Sequence, residues 1–156
     1  MRVRGFTYIE LMVTLAIMAV LAMMAVPSAH YEIQREKEQA LREALMQIRQ
    51  GIDNYKHASD VGRIQKDIDA TGYPPSLGVL VQGVPDQTTP DHRMLYFMRR
   101  IPADPLFPDS KADPASTWGL RSYASPPDAP AEGDDVFDIY SRSTQTGLNG
   151  VPYKDW

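Results

Sequence analysis

The 156-residue chain is expected to be an α+β protein. One long N-terminal α-helix, apolar on all sides in its first half and amphipathic in its second, packs on a small antiparallel β-sheet, and the C-terminal region is rich in loops. Three observations predict this. From Phe6 to Val26 only Glu10 is ionisable in an otherwise apolar run. From Leu41 to Tyr55 apolar residues recur at spacings of three and four, the period of one helix face. All but one of the 13 prolines lie beyond Gly72, which leaves room there only for short strands and turns. The organisation that follows is a basic leader at 1–5, an apolar helix at 6–26, an amphipathic helix at 27–70 and a small body at 71–156.

Taken in order, Arg2, Arg4 and Gly5 precede the apolar run. At about 1.5 Å per residue a helix over 6–26 spans about 30 Å, roughly one hydrocarbon core. Basic residues ahead of it place the N terminus in the cytoplasm and the body outside. A carboxylate in such a segment costs on the order of 3 kcal/mol to insert. No Lys, Arg or His of the run can pair with Glu10. Its partner is therefore expected outside the segment, on another chain or at a newly made amino terminus. A cut between Gly5 and Phe6 would put the new ammonium about one helical turn from Glu10, of the same subunit or of a neighbour. An ordinary secretory signal cut within Ala25–Ala29 is the competing reading, as is an uncut single-pass anchor. The apolar run exceeds a normal signal core, and it carries an acid near its start.

Pro27 lacks an amide hydrogen and crowds the preceding turn, so it is expected to kink the helix without ending it. Ile33, Leu41, Ala44, Leu45, Ile48, Ile52 and Tyr55 form the apolar stripe. Gln34, Arg35, Glu36, Lys37, Glu38, Arg42 and Glu43 form a solvated face on which Glu38 and Arg42 pair at i, i+4. The helix is expected from about Thr7 to about Ala58, with a break near Ser59-Asp60-Val61-Gly62; Ile64 and Ile68 fit a further turn or two. Asp69 to Pro75 stops it outright. In the body, Pro75–Val81 reads as a short helical turn capped by Ser76. Met94–Ile101 is apolar and aromatic, and Trp118–Ala124 and Val136–Tyr140 alternate as strands around a Pro, Asp and Gly loop at 125–134.

Gly5 followed by Phe6-Thr7-Tyr8-Ile9-Glu10-Leu11, with a basic leader before and Pro27 after, resembles the class III signal of type IV pilins and type II secretion pseudopilins, whose pattern is G, then F-T-L-I-E-L. Tyr8 stands where leucine is usual. The resemblance implies a pilin-like fold, cleavage after Gly5 by a membrane-embedded prepilin peptidase and N-methylation of Phe6. It makes Glu10 the assembly carboxylate, acting with Phe6, and Pro27 the helix-loosening proline. Further on, Gly72-Tyr73-Pro74, then Gly78-Val79-Leu80-Val81, Tyr96 with Arg99-Arg100-Ile101-Pro102-Ala103-Asp104-Pro105, Asp135 to Ser141 and Trp156 follow the order of the major (G-type) pseudopilins. Many type IV pilins carry a disulfide loop, and this chain has no cysteine, which tilts the resemblance toward the secretion branch.

The implied function is a structural subunit of the periplasmic filament of the type II secretion system. It is held as a single-pass protein of the bacterial inner membrane, with its body in the periplasm, until an inner-membrane assembly platform adds it to a filament. The partners implied are other copies of the chain, other pseudopilins, the peptidase, the platform and membrane lipid. A pilin of a type IV pilus or DNA-uptake apparatus is the near alternative. An uncleaved, membrane-anchored periplasmic binding module is the alternative of another class. A net charge of -4, more negative once Arg2 and Arg4 are removed, argues against nucleic acid as the main partner.

No catalytic residue is expected, because no nucleophile elbow, phosphate loop or H-E-x-x-H motif is present and His30, His57 and His92 stand apart. In the resembled family the C-terminal loop often binds calcium through carboxylates. Here residues 141–150 carry none, so Asp155 with hydroxyls and carbonyls would make a weak site. Side chains of Thr144, Gln145 and Asn149 are expected to knit the loop instead. Asp134, Asp135 and Asp138 are expected on a solvated hairpin edge, and Tyr73, Trp118, Phe137 and Trp156 in the core.

Overall fold

The computed structural model of the protein describes residues 6–156, and of residues 24–30 the backbone only. The architecture is α+β, a long N-terminal helix followed by small antiparallel ladders. Helix α1, Tyr8–Asp60, passes through Pro27 without ending. The side chain of Pro27, and with it the expected kink, lies outside the described residues. The helix stops where the sequence offers Gly62, whose φ of 75° few other residues tolerate. The Arg63 N–H reaches the Ala58 carbonyl and the Gly62 N–H the Ser59 carbonyl, the paired bonds of a Schellman termination. The amphipathic helix set at 27–70 thus ends at Asp60. Ile64 turns back into the core, and Ile68, 99% exposed, does not extend the helix.

Two compact units divide the chain, one ending at Glu36 and one at Lys37–Trp156. In the first, every described large apolar side chain of the helix is exposed, from Phe6 and Ile9 through Leu15 and Leu21 to Met23. Such all-round hydrophobicity belongs to a helix surrounded by lipid or by other apolar helices. Ile33, expected on the buried stripe, is also exposed, because no element of that unit stands beside it. Among the described residues no helix is long and apolar enough to cross a membrane. The span read at 6–26 runs into residues whose side chains are not described.

The second unit is built on the remaining length of α1. Leu41, Ala44, Leu45, Ile48, Ile52, Tyr55 and Ala58 are buried on one stripe and meet Leu77, Leu80, Trp118, Val136, Ile139 and Tyr153. Helix α2, Leu77–Gln82, covers one flank, burying Leu77 and Leu80. Ser76 stands at its N-cap position with extended backbone but makes no side-chain cap, so the expected capping role is corrected. Strands β1, Val84–Pro85, and β2, Met94–Leu95, pair antiparallel with Val84 opposite Leu95. Strands β3, Trp118–Arg121, and β4, Asp138–Ser141, pair antiparallel with Trp118 opposite Ser141. The expected single sheet is therefore two short ladders.

Trp118, fully buried, donates its indole N–H to the Pro102 carbonyl at 2.8 Å and so ties the chain after Ile101 to β3. Across the ladder Tyr140 lies on Gly119, where an added Cβ would stand 2.3 Å from the ring. Gly119→Ala should therefore displace Tyr140 and lower the midpoint of chemical denaturation. Ile48→Ala, which empties a fully buried site, should cost about 2–5 kcal/mol by the same measurement. A cost below about 1 kcal/mol would show that the stripe is not the core.

Candidate functional site

The sequence-predicted assembly pair lies at the start of α1, Glu10 in its first turn and Phe6 just ahead of it; Gly5 and the Gly5–Phe6 bond lie outside the described residues. Phe6 is 83% exposed. Thr7 precedes the helix as its N-cap and Glu10 is the third helical residue. The Thr7 hydroxyl accepts the Glu10 backbone N–H at 3.3 Å. The Glu10 Oε2 in turn accepts the Thr7 N–H at 3.3 Å and the Thr7 O–H at 3.4 Å. This reciprocal arrangement is a capping box, and it satisfies donors that a helix start would otherwise leave bare.

Two consequences follow for Glu10. Thr7, three residues away, gives it two hydrogen bonds, whereas the partner expected outside the segment is a cation. Those bonds are neutral, so they hold the carboxylate without cancelling its charge. They hold it toward the end of the helix that carries Phe6, where the positive pole of the helix favours an anion. The Thr7-Tyr8-Ile9-Glu10 spacing carried this signal in plain sequence.

A second set of functional-looking side chains lies in the C-terminal unit, and sequence reasoning missed it. Glu38, expected on the solvated face with Arg42, is 5% exposed. Its Oε1 accepts the Leu148 N–H at 2.7 Å and the Tyr153 O–H at 2.9 Å. Arg42, one turn on, lies over the Trp156 ring at 4.4 Å, and Trp156 meets Tyr153 edge to face. Arg49 donates to Asp138 Oδ1 at 2.8 Å, to the Ile139 carbonyl at 3.2 Å and to the Trp156 carbonyl at 2.9 Å. Glu38, Arg42 and Arg49 thus fasten β4 and the C-terminal turn to α1. Beside them runs an open groove of about 630 Å³ lined by Arg42, Met46, Arg49, Asp53, Asp155 and Trp156. No nucleophile and base converge there.

Of the acidic cluster expected on a solvated edge, Asp134 is exposed, but Asp135 and Asp138 are not. Asp135 is buried and accepts the Tyr123 N–H at 2.8 Å and the Thr71 hydroxyl. Asp138 is the Arg49 partner, with Arg121 at 3.9 Å. Asp104, 4% exposed, accepts the Ser141 O–H at 2.5 Å and the Leu106 N–H at 2.8 Å. Of the predicted core aromatics, Trp118 is buried, while Tyr73 and Phe137 meet edge to face at 5.0 Å with Tyr123 beside them. His57 stands in the last turn of α1 and His92 in the loop between β1 and β2. Among the described residues, no three His, Cys, Asp or Glu side chains are placed to hold a metal ion.

Asp86, 1% exposed, receives Arg63 Nε and Nη2 at 3.0 and 2.5 Å and the Thr88 N–H and O–H. The Arg63 hydrogen bonds first, then those of Thr88, hold its carboxyl down to about 2. A folded-state value below the unfolded one gives stability that is complete above about pH 4 and lost as the pH falls toward about 2. Acid unfolding should therefore steepen over that range in the natural chain and flatten in Asp86→Asn. In the N-terminal unit, Thr7→Val removes the cap hydroxyl. It should cost the helix start about 1 kcal/mol, read as faster amide exchange at residues 8–11 in detergent, whereas Thr7→Ser retains protection.

No curated protein and no solved structure matches the chain. Residues 1–26 match the family described as the prokaryotic N-terminal methylation motif, so the N-terminal segment is similar to the leader and helix start of type IV pilin-like proteins.

Proposed function

We propose that the chain is a pseudopilin, a structural and non-catalytic subunit of the periplasmic filament of a type II secretion system. One observation carries this reading. In an apolar helix headed by an N-methylation motif, the sole acid, Glu10, is held at the first turn, one turn from Phe6. Cleavage after Gly5 frees the Phe6 ammonium, which the peptidase then methylates. The Glu10 carboxylate of an incoming subunit pairs with the Phe6 terminus of the one before it. That contact sets the axial register while the exposed apolar helices leave lipid and pack on one another, with Pro27 loosening the helix to fit. A carboxylate costing on the order of 3 kcal/mol in lipid regains that cost when it meets an ammonium in the filament.

The cysteine-free, Pro-rich body supports the secretion filament over a type IV pilus or DNA-uptake pilus, since the N-terminal motif is common to all of them. Before assembly the subunit sits in the inner membrane with its body in the periplasm. Prepilin peptidase, the assembly platform, other pseudopilins and further copies of the chain are its partners.

Intact-mass measurement on membrane-extracted protein should show loss of Met1–Gly5 and one added methyl on Phe6. A retained leader would overturn the filament reading in favour of an anchored binding module. Glu10→Ala should be cleaved normally yet fall at least about tenfold in filament incorporation, the equivalent of about 1.4 kcal/mol. Normal incorporation would remove Glu10 from the mechanism.

A further inference from the structure

The resembled family implies calcium in the C-terminal loop, and the residues of this chain do not fit it. Calcium takes six to eight oxygens and its affinity follows the number of carboxylates among them. Residues 141–150 supply none. The loop is instead closed on its own backbone. The Gly147 N–H reaches the Val151 carbonyl at 2.9 Å and the Tyr153 N–H the Gln145 carbonyl at 3.1 Å. Asn149 Oδ1 accepts the Val151 N–H at 3.0 Å. Thr146 and Pro152 form a bridge.

The decisive feature is the polarity of the loop's interior. It turns hydrogen-bond donors inward, the Leu148 N–H and the Tyr153 O–H, and what they meet is the buried Glu38 carboxylate from α1. A calcium loop arranges anions around a cation. This loop arranges donors around an anion that the neighbouring helix supplies. A cation placed among those donors would face positive hydrogen ends. Ionised acceptors make the shorter and stronger class of hydrogen bond, and both contacts bridge more than a hundred residues of chain. Arg42 on Trp156 and Arg49 on the Trp156 carbonyl then hold the end of the loop on the same helix.

We propose that Glu38 is the internal anion that closes the C-terminal loop, in the role a calcium site plays elsewhere, and that the loop of this subunit folds without a divalent cation. The proposal stands on the fold of the C-terminal unit alone, so it survives or fails separately from the filament assignment.

The test uses the full chain in detergent micelles, with thermal unfolding followed by tryptophan fluorescence and amide exchange read at Leu148. In the natural protein, millimolar EDTA and millimolar calcium should give the same Tm. Glu38→Ala should lower Tm by about 10 °C and speed Leu148 exchange about tenfold or more. Tyr153→Phe, a milder change that keeps the ring, should lower Tm by roughly 5 °C, again alike with and without calcium. A loss of Tm on adding EDTA to the natural protein, or saturable calcium binding that raises it, would overturn the proposal. So would Leu148 exchange that stays unchanged in both variants. If Glu38→Ala does not fold, Tyr153→Phe and the calcium arm decide the question.

Discussion

A body whose longest strands have four residues cannot hold itself together by sheet pairing, so its rigidity comes from α1. Two-stranded ladders are marginal in water unless something covers a face. The stripe from Leu41 to Ala58 is what covers them. That stripe is continuous with the apolar N-terminal helix in one element, Tyr8–Asp60. Over 8–23 it presents apolar side chains on every side, and from Leu41 on it buries them along one side.

The rest of the body is fastened by carboxylates. Asp86, Asp104, Asp135, Asp138 and Glu38 each accept hydrogen bonds from distant side chains or backbone groups. Each closes a loop that neither a disulfide nor a long ladder closes, the chain having no cysteine. No buried side-chain nitrogen or oxygen among the described residues lacks a partner, and satisfied polar networks of this kind fix a unique packing. The acidic balance of the chain is thus partly internal architecture rather than only a solvated surface.

The N-terminal turn applies the same chemistry at the helix start. Glu10 is held by Thr7 in a capping box, which keeps a charged group ordered while leaving its charge to be met by a cation. On the filament reading proposed above, an acid poised but not neutralised suits a subunit whose partner is a neighbour's amino terminus. Exposed apolar side chains along the following turns have the same unfinished character, since nothing among the described residues covers them.

The sequence by itself determined what depends on local spacing. The apolar run with its lone acid, the three-and-four stripe, the glycine stop at 62 and the paired strands on either side of 125–134 were all legible, because periodicity and turn chemistry act over a few residues. The Thr7–Glu10 box was legible too, in its Thr-x-x-Glu spacing. Tertiary structure alone decided the rest. Glu38 and Asp135 read as surface charges because their partners at Leu148, Tyr153, Tyr123 and Thr71 are 12 to 115 residues away. Ser76 has the right residue type for a cap but makes no cap bond. A carboxylate's fate is set by which donors the folded chain brings to it, and long-range proximity leaves no trace in spacing.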